Sequence, residues 1–468
     1  MGTTVTARNR DVLGNSALRP DGAGKVSGSF KFTSDMHADN MLWGATLRSP
    51  HPYARIVSID TSAALALSGV SCVITSQDVP GKPTYGLISS DQPVFASDFV
   101  RYVGEPIAAV AADHPETCRR ALALIKIEYE VLTPLTDPED AISGKFSPIH
   151  PDGNIIRHQR IIRGDQSATG PIVVEGLYEI GMQDQAFLGL EAALAIPDSD
   201  GSGVHLHVAT QWLHEDLSQI SACLALPANR VRLTLGGVGG AFGAREDISL
   251  QVHCCLLALK ANRPIKMQYS REESFFGHVH RHPAKIFMRH HADASGKIVK
   301  IDARFVFDGG AYTSTSPAVL INGITHTQGP YKCDNATVDG FAIRTNNPPC
   351  GAMRGFGVVQ ACFAHESQMD KIAQAAGISP IEVRLINAMA TGDPLITGQK
   401  MESVAPVARC ITDTADIPLP EPLPEMANEL ALPGGSGLTA QRSNIVRGIG
   451  WGVSMKNLMY SEGFDDFA

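Results

Sequence analysis

Paired cysteines are missing from this chain. Its nine cysteines, Cys72, Cys118, Cys223, Cys254, Cys255, Cys333, Cys350, Cys362 and Cys410, include no C-x-x-C spacing. That excludes a zinc ribbon and a cysteine-ligated iron–sulfur cluster on this polypeptide. Sparse thiols of this kind are expected to be small buried hydrophobes in a reducing compartment. No apolar run approaches the roughly 18 residues needed to cross a bilayer. Residues 1–20 are polar and hold no apolar core of a secretory signal. A cytoplasmic location and no membrane partner are therefore expected. Positive charge is also in deficit: 39 Lys and Arg against 48 Asp and Glu give a net charge of −9, which argues against non-specific nucleic-acid binding.

What is present describes a large folded protein. Apolar residues at 44% and charged residues at 19% exclude a disordered or fibrous chain. The 468 residues correspond to roughly three domains at about 150 residues each. Forty-four glycines and 29 prolines point to many turns and close backbone approaches. After an N-terminal arm (1–21), short β-like runs at 41–47, 55–59, 71–74, 107–112 and 127–131 surround a helix at 115–126, a compact α+β domain over 22–140. A Pro-, Gly- and Asp-rich loop (136–153) separates it from a second, mixed α/β domain, 154–392, in a chain that is α+β as a whole. That domain starts with strands at 172–178, 192–196 and 205–210, then a helix at 214–224 and a strand at 230–235. A helix is expected over 245–260, with Ile248, Val252, Cys255, Leu256 and Leu259 marking one buried face. Ser379-Pro380-Ile381-Glu382 is a capping box with proline at the first helical position, opening a helix that ends near Ala390. A linker spans 393–440, densest in proline and glycine at 417–437. Residues 448–455 read as a strand opening a third domain, 441–468, of which only the start is expected here.

Two glycine-rich segments carry the chemistry. Gly236-Gly237-Val238-Gly239-Gly240-Ala241-Phe242-Gly243-Ala244-Arg245-Glu246 joins a strand to a helix. Main-chain N–H groups and a positive helix end at such a turn suit an anionic group, either a phosphate or a metal-bound oxo ligand. The G-x-G-x-x-G spacing fails at Phe242 and no Gly-Lys-Ser/Thr follows, so neither a dinucleotide fingerprint nor a Walker loop is present. The second segment is Gly351-Ala352-Met353-Arg354-Gly355-Phe356-Gly357, which leads into a helix from about Gln360. An arginine among glycines can meet an anion, and Phe356, with little to pack on in a turn, suits a flat ligand. Glu246, in the expected first helical turn, favours the helix dipole and lies beside the anion site. His278, His280 and His282 alternate, and packing or solvated roles are expected of them rather than metal binding. Gln211 closes an alternating strand.

These two segments resemble the signature loops of the xanthine dehydrogenase/aldehyde oxidase family, in its molybdopterin-binding subunit. Arg48-Ser49-Pro50-His51-Pro52-Tyr53-Ala54-Arg55 and Val103-Gly104-Glu105-Pro106-Ile107-Ala108 resemble that family's N-terminal α/β hammerhead domain. Gly309-Gly310-Ala311-Tyr312, His282-Pro283 and Ser379-Pro380-Ile381-Glu382-Val383-Arg384 agree with it. The resemblance implies a hammerhead domain followed by a molybdopterin-binding domain. It also implies a molybdenum–molybdopterin cofactor, or its cytosine dinucleotide form, held by Gln211, Gly240, Ala241, Phe242, Gly243 and Arg354. Gln211 would hydrogen-bond an oxygen ligand of the metal. Substrate would meet Glu246, Asn322 and Phe356, with Phe356 on the ring and Asn322 where purine-oxidising members often carry an arginine.

The family's catalytic base is a glutamate in a Gly-x-Gly-Glu motif, and no such motif occurs here. No catalytic residue is therefore expected in this chain, and the base is expected on a second molybdopterin-binding polypeptide. Further partners are a [2Fe-2S] subunit and an FAD subunit that take the electrons. The implied reaction is hydroxylation, with water, of an N-heteroaromatic substrate: a purine such as xanthine or hypoxanthine, or a pyridine-type ring such as nicotinate. The alternatives are an aldehyde or carbon monoxide dehydrogenase large subunit and a truncated, inactive fragment.

Overall fold

Residues 106–112 are apolar throughout, and such a run is stable as a strand when both of its faces are covered. In the computed structural model, which describes Gly14, residues 16–419 and residues 448–457, Pro106–Ala112 is buried at every position. It belongs to a seven-stranded sheet, in the order Val231–Leu235, Val204–Val208, Ala192–Pro197, Ile265–Gln268, Leu42–Arg48, Pro106–Ala112, Val70–Thr75. Ala109 and Ala111 join a core that includes much of helix Gln251–Ala261. Ala108 and Val110 join a separate core with Ala64 and Ala121, which come from helices Ser62–Leu65 and Pro115–Leu124. The period of two along the strand divides its alanines between two layers. A smaller sheet pairs Phe99–Val100, Ala54–Asp60 and Lys126–Val131.

Leu42–Arg48 pairs antiparallel with Pro106–Ala112 on one side and parallel with Ile265–Gln268 on the other. Strands from distant parts of the chain thus share one sheet. The first compact unit accordingly takes the described residues up to Leu132 together with Gln185–His278. The second takes Thr133–Asp184 and the described residues from Val279 onward. This interleaving is not captured by a division into consecutive stretches at 22–140 and 154–392.

In the second unit five strands lie in the order Ile172–Ile180, Ala284–Ala292, Ile298–Gly310, Ala336–Arg344, Ile155–Arg163. Ala284–Ala292 alternates buried and partly exposed positions, the pattern of a sheet with one packed face. Helices Ser316–Thr325 and Val358–Ala376 contribute Val319, Leu320, Ile324, Ala361 and Met369 to its core. Helix Pro380–Asn387 starts as its capping box requires, Ser379 Oγ accepting from the Glu382 N–H at 3.1 Å, and stops three residues short of Ala390.

Three expectations need correction. The helix expected over 245–260 is Gln251–Ala261, and its first eight residues are all buried, so no single face stands out. Phe242 and Gly243, at φ of +53° and +105°, cannot extend a helix backward, and the chain turns repeatedly from 242 to 247. The strand expected at 448–455 does not form among the described residues. There the Val453 N–H donates to Glu366 Oε2 at 3.0 Å, one bond to a side chain where a strand needs a ladder. The linker read at 393–440 contains helix Val407–Ala415 with Ile411 buried, and residues 420–440 lie outside the described residues. No helix among the described residues is long and apolar enough to cross a membrane. All nine cysteines are free thiols, seven of them buried.

Candidate functional site

The first glycine-rich segment lies in the first unit and leaves strand Val231–Leu235 at Gly236. Gly189 and Gly239 meet there backbone to backbone. The Gly189 N–H donates to Gly239 O at 3.0 Å, and a Cβ on Gly239 would stand 2.7 Å from Gly189 Cα. No larger residue fits at either position. Beyond this contact Gly240, Phe242 and Gly243 all adopt positive φ. A bulky side chain in the left-handed region costs about 1–2 kcal/mol, and Phe242 remains 46% exposed, so packing does not offset that cost.

Gln211 is fixed by this loop. Its N–H donates to Arg245 O at 2.9 Å, and its side-chain Oε1 accepts from the N–H groups of Gly243 at 3.1 Å and Arg245 at 3.3 Å. With the amide oxygen taken by two main-chain donors, the Nε2 hydrogens of this exposed residue are left to meet an acceptor. The sequence suggested that loop N–H groups and a helix end would hold an anion directly. Instead two of those N–H groups orient a glutamine, and the nearest helix starts only at Gln251.

Arg245, which sequence reasoning passed over, anchors the same corner. Its guanidinium is 5% exposed, donates to Ala209 O at 3.2 Å and to Gly189 O, and lies 4.5 Å from the centre of the Phe187 ring. Burial lowers its pKa, a shift opposed by the nearby Glu191 carboxylate. Glu246 is buried, and its Oε2 has no contact with solvent. Close by, Asp216 is fully buried and accepts from Gln251 Nε2 at 3.3 Å. Burial pushes its carboxyl up to about 7, against hydrogen bonds from Thr210 and Gln251 that lower it. Nothing in the sequence around Asp216 marks it.

The second segment lies in the second unit. Gly355, Phe356 and Gly357 have φ of +95°, +48° and +92°, three left-handed residues in a row. The Phe356 N–H donates to Met353 O at 2.7 Å and the Val358 N–H to Gly355 O at 3.0 Å. Phe356 is not without packing, as the sequence suggested: its partly buried ring rests on the core of the second unit. The Arg354 side chain is exposed, while its carbonyl accepts from Arg281 Nη2 at 2.9 Å. Asn322 is 2% exposed in helix Ser316–Thr325, and its Nδ2 donates to Phe356 O at 2.9 Å.

His282 takes a packing role. His282 is buried, with Nε2 2.8 Å from Ser316 Oγ, and burial pushes it down to about 3. Of the residues expected at a site, the first unit thus gathers Gln211, Gly240, Ala241, Phe242, Gly243 and Glu246. The second unit gathers Asn322, Arg354 and Phe356.

Comparison with known proteins shows the family. Residues 27–133 match the family "Aldehyde oxidase and xanthine dehydrogenase, a/b hammerhead domain", and residues 149–388 match "Molybdopterin cofactor-binding domain". The chain is 38% identical over 375 residues to a probable xanthine dehydrogenase subunit of Bacillus subtilis, covering 80% of this chain and 50% of that protein. It is 38% identical over 399 residues to the nicotinate dehydrogenase large molybdopterin subunit of Eubacterium barkeri, covering 85% of this chain and 94% of that one. The chain therefore spans half of the first relative and nearly all of the second. Among solved structures, the aldehyde oxidoreductase of Desulfovibrio gigas superposes with a TM-score of 0.80 at 26% identity, over 85% of this chain and 45% of that chain.

Proposed function

This chain belongs to the aldehyde oxidase and xanthine dehydrogenase family and carries its molybdopterin cofactor-binding domain, and from that premise we propose that it is one polypeptide of a molybdenum hydroxylase acting on an N-heteroaromatic ring. The observation that carries the reading is the orientation of Gln211. Its amide oxygen is held by two main-chain N–H groups, which leaves a pair of hydrogens for an acceptor oxygen on the bound cofactor.

The residues fit such a group. The Gly189–Gly239 backbone contact fixes the start of the loop, Gln211 presents its amide hydrogens there, and Phe242 is held exposed in a strained backbone. When bound, the molybdenum–molybdopterin cofactor supplies the two-electron oxidation. This chain's part is to bind and orient. Gln211 donates to the cofactor's oxygen, Gly240 to Gly243 let the backbone come close, and the Arg354 guanidinium offers charge-assisted donors. Phe356 gives a flat ring a face to stack on, and the Glu246 carboxylate suits a polar edge of the substrate. We assign the general base to a second molybdopterin-binding polypeptide and electron removal to [2Fe-2S] and FAD subunits. The ring substrate is supported by the nicotinate-oxidising relative, which this chain covers almost end to end, and by the carboxylate at Glu246.

The test is reconstitution with the partner subunits, followed by metal analysis and assays on nicotinate, hypoxanthine, xanthine and a plain aldehyde. Molybdenum in the complex and turnover of a heteroaromatic ring are expected. A complex without molybdenum would overturn the reading, and turnover of the aldehyde alone would move the assignment to an aldehyde dehydrogenase. Gln211→Glu removes the outward donors at nearly constant shape. It should lower kcat by about 10²-fold, the effect of losing one preorganised donor, with the melting temperature little changed.

A further inference from the structure

Three consecutive left-handed residues do not hold their shape unaided, and the second loop is gripped from outside at two carbonyls. Asn322 Nδ2, from the middle of helix Ser316–Thr325, donates to Phe356 O at 2.9 Å. Arg281 Nη2 donates to Arg354 O at 2.9 Å, and its Nε donates to Gln183 Oε1 at 2.8 Å. The two side chains, at 2% and 5% exposure, hold peptide groups two residues apart. Those peptide groups follow the loop's exposed guanidinium and its partly exposed ring.

We infer that Asn322 and Arg281 are positioning residues that set the direction of the Phe356 ring and the Arg354 guanidinium, so that Asn322 acts through Phe356 and not on the substrate. What the ring and the guanidinium meet rests on the proposed function; the grip itself does not. Asn322 then does more than stand where related enzymes place a cation. Its amide is a donor committed to the main chain, and a residue that cannot donate there releases the loop.

The reconstituted complex tests this with two independent readouts. The first is hydrogen–deuterium exchange at the amides of Phe356 and Val358. Asn322→Ala should speed it at least tenfold, Arg281→Ala similarly, and Arg281→Lys, which still offers a donor, much less. The second is steady-state kinetics on the ring substrate. Asn322→Ala should raise KM about tenfold with a smaller fall in kcat, yet add less than twofold in a Phe356→Ala background, because its effect passes through that ring. Asn322→Asp donates only when protonated, so its KM should recover as the pH falls, which a purely structural loss would not do. If Asn322→Ala fails to fold, Asn322→Asp and Arg281→Lys carry the test. Unchanged exchange, or independent effects of Asn322→Ala and Phe356→Ala on KM, would overturn the inference. A complex lacking molybdenum or turnover would sink the proposed function instead and leave the exchange result to decide the grip.

Discussion

Buried titratable side chains control how this protein responds to pH, and they act in opposite directions. The Asp216 carboxyl, at about 7 in the fold against an ordinary 3.8, keeps its proton longer when folded. Between those values the unfolded chain binds fewer protons, so stability falls as pH rises and the loss is complete above pH 7. His282, His290 and His365 are buried and pushed down to about 3 from an ordinary 6.5. There the unfolded chain takes up protons first, so stability falls as pH drops from 6.5 toward 3. From pH 4 to 6 the three histidines outweigh the one aspartate, so the melting temperature should rise with pH and level off above about pH 7. Asp216→Asn removes the opposing contribution: it should steepen the rise between pH 4 and 7, with a gain of up to about 4 kcal/mol at pH 8. Thermal melts across pH 4–8 measure this, and an unchanged profile would contradict the assignment to Asp216. Asp216 was illegible in the sequence because its ionisation is set chiefly by burial. Arg354 and Phe356 were legible because glycine neighbours set them apart, whereas Gln211, at a strand end with no glycine beside it, was singled out only by the family resemblance.

Among the elements, those with local chemical signals formed where the sequence placed them. Pro115–Leu124 follows a proline at its first position, and Pro380–Asn387 follows Ser379. In the second helix the Ser379 hydroxyl accepts from the Glu382 N–H, so Ser379→Ala should destabilise the protein by about 1 kcal/mol, read in a denaturant melt as a shifted midpoint at constant slope. The start of helix Gln251–Ala261 was not legible. Apolar spacing ran continuously from Ile248 into the helix, while the competing demand came from Gln211, 32 residues from Gly243, which draws the N–H groups of Gly243 and Arg245 to its own side chain. A contact that distant leaves no local mark. Residues 448–455, read as a strand, form no ladder among the described residues.

At the level of the whole chain, the sequence shows the order of the family matches and conceals how the sheet is shared between them. No local pattern indicates that Leu42–Arg48 must pair with Ile265–Gln268, since register is set by partners far along the chain. The arrangement predicts that residues 22–140 do not fold alone. Without Ile265–Gln268 the sheet has an open edge at Leu42–Arg48, and without helix Gln251–Ala261 the core formed by Leu42, Ile74, Ala109 and Ala111 loses much of its cover. That fragment should be protease-sensitive and aggregate. A fragment spanning 22–278 should resist digestion far better, and equal resistance of the two would refute the prediction.

The shared sheet also sets a schedule for synthesis. Chains grow at roughly 5–20 residues per second, so the roughly 220 residues between Arg48 and Ile265 take on the order of 10–40 s to emerge. Through that interval Leu42–Arg48 can find Pro106–Ala112 but not its neighbour on the other side. The nascent chain thus leaves the ribosome with an unfilled β-edge, and what covers that edge until residue 265 appears governs how much of the protein a cell recovers.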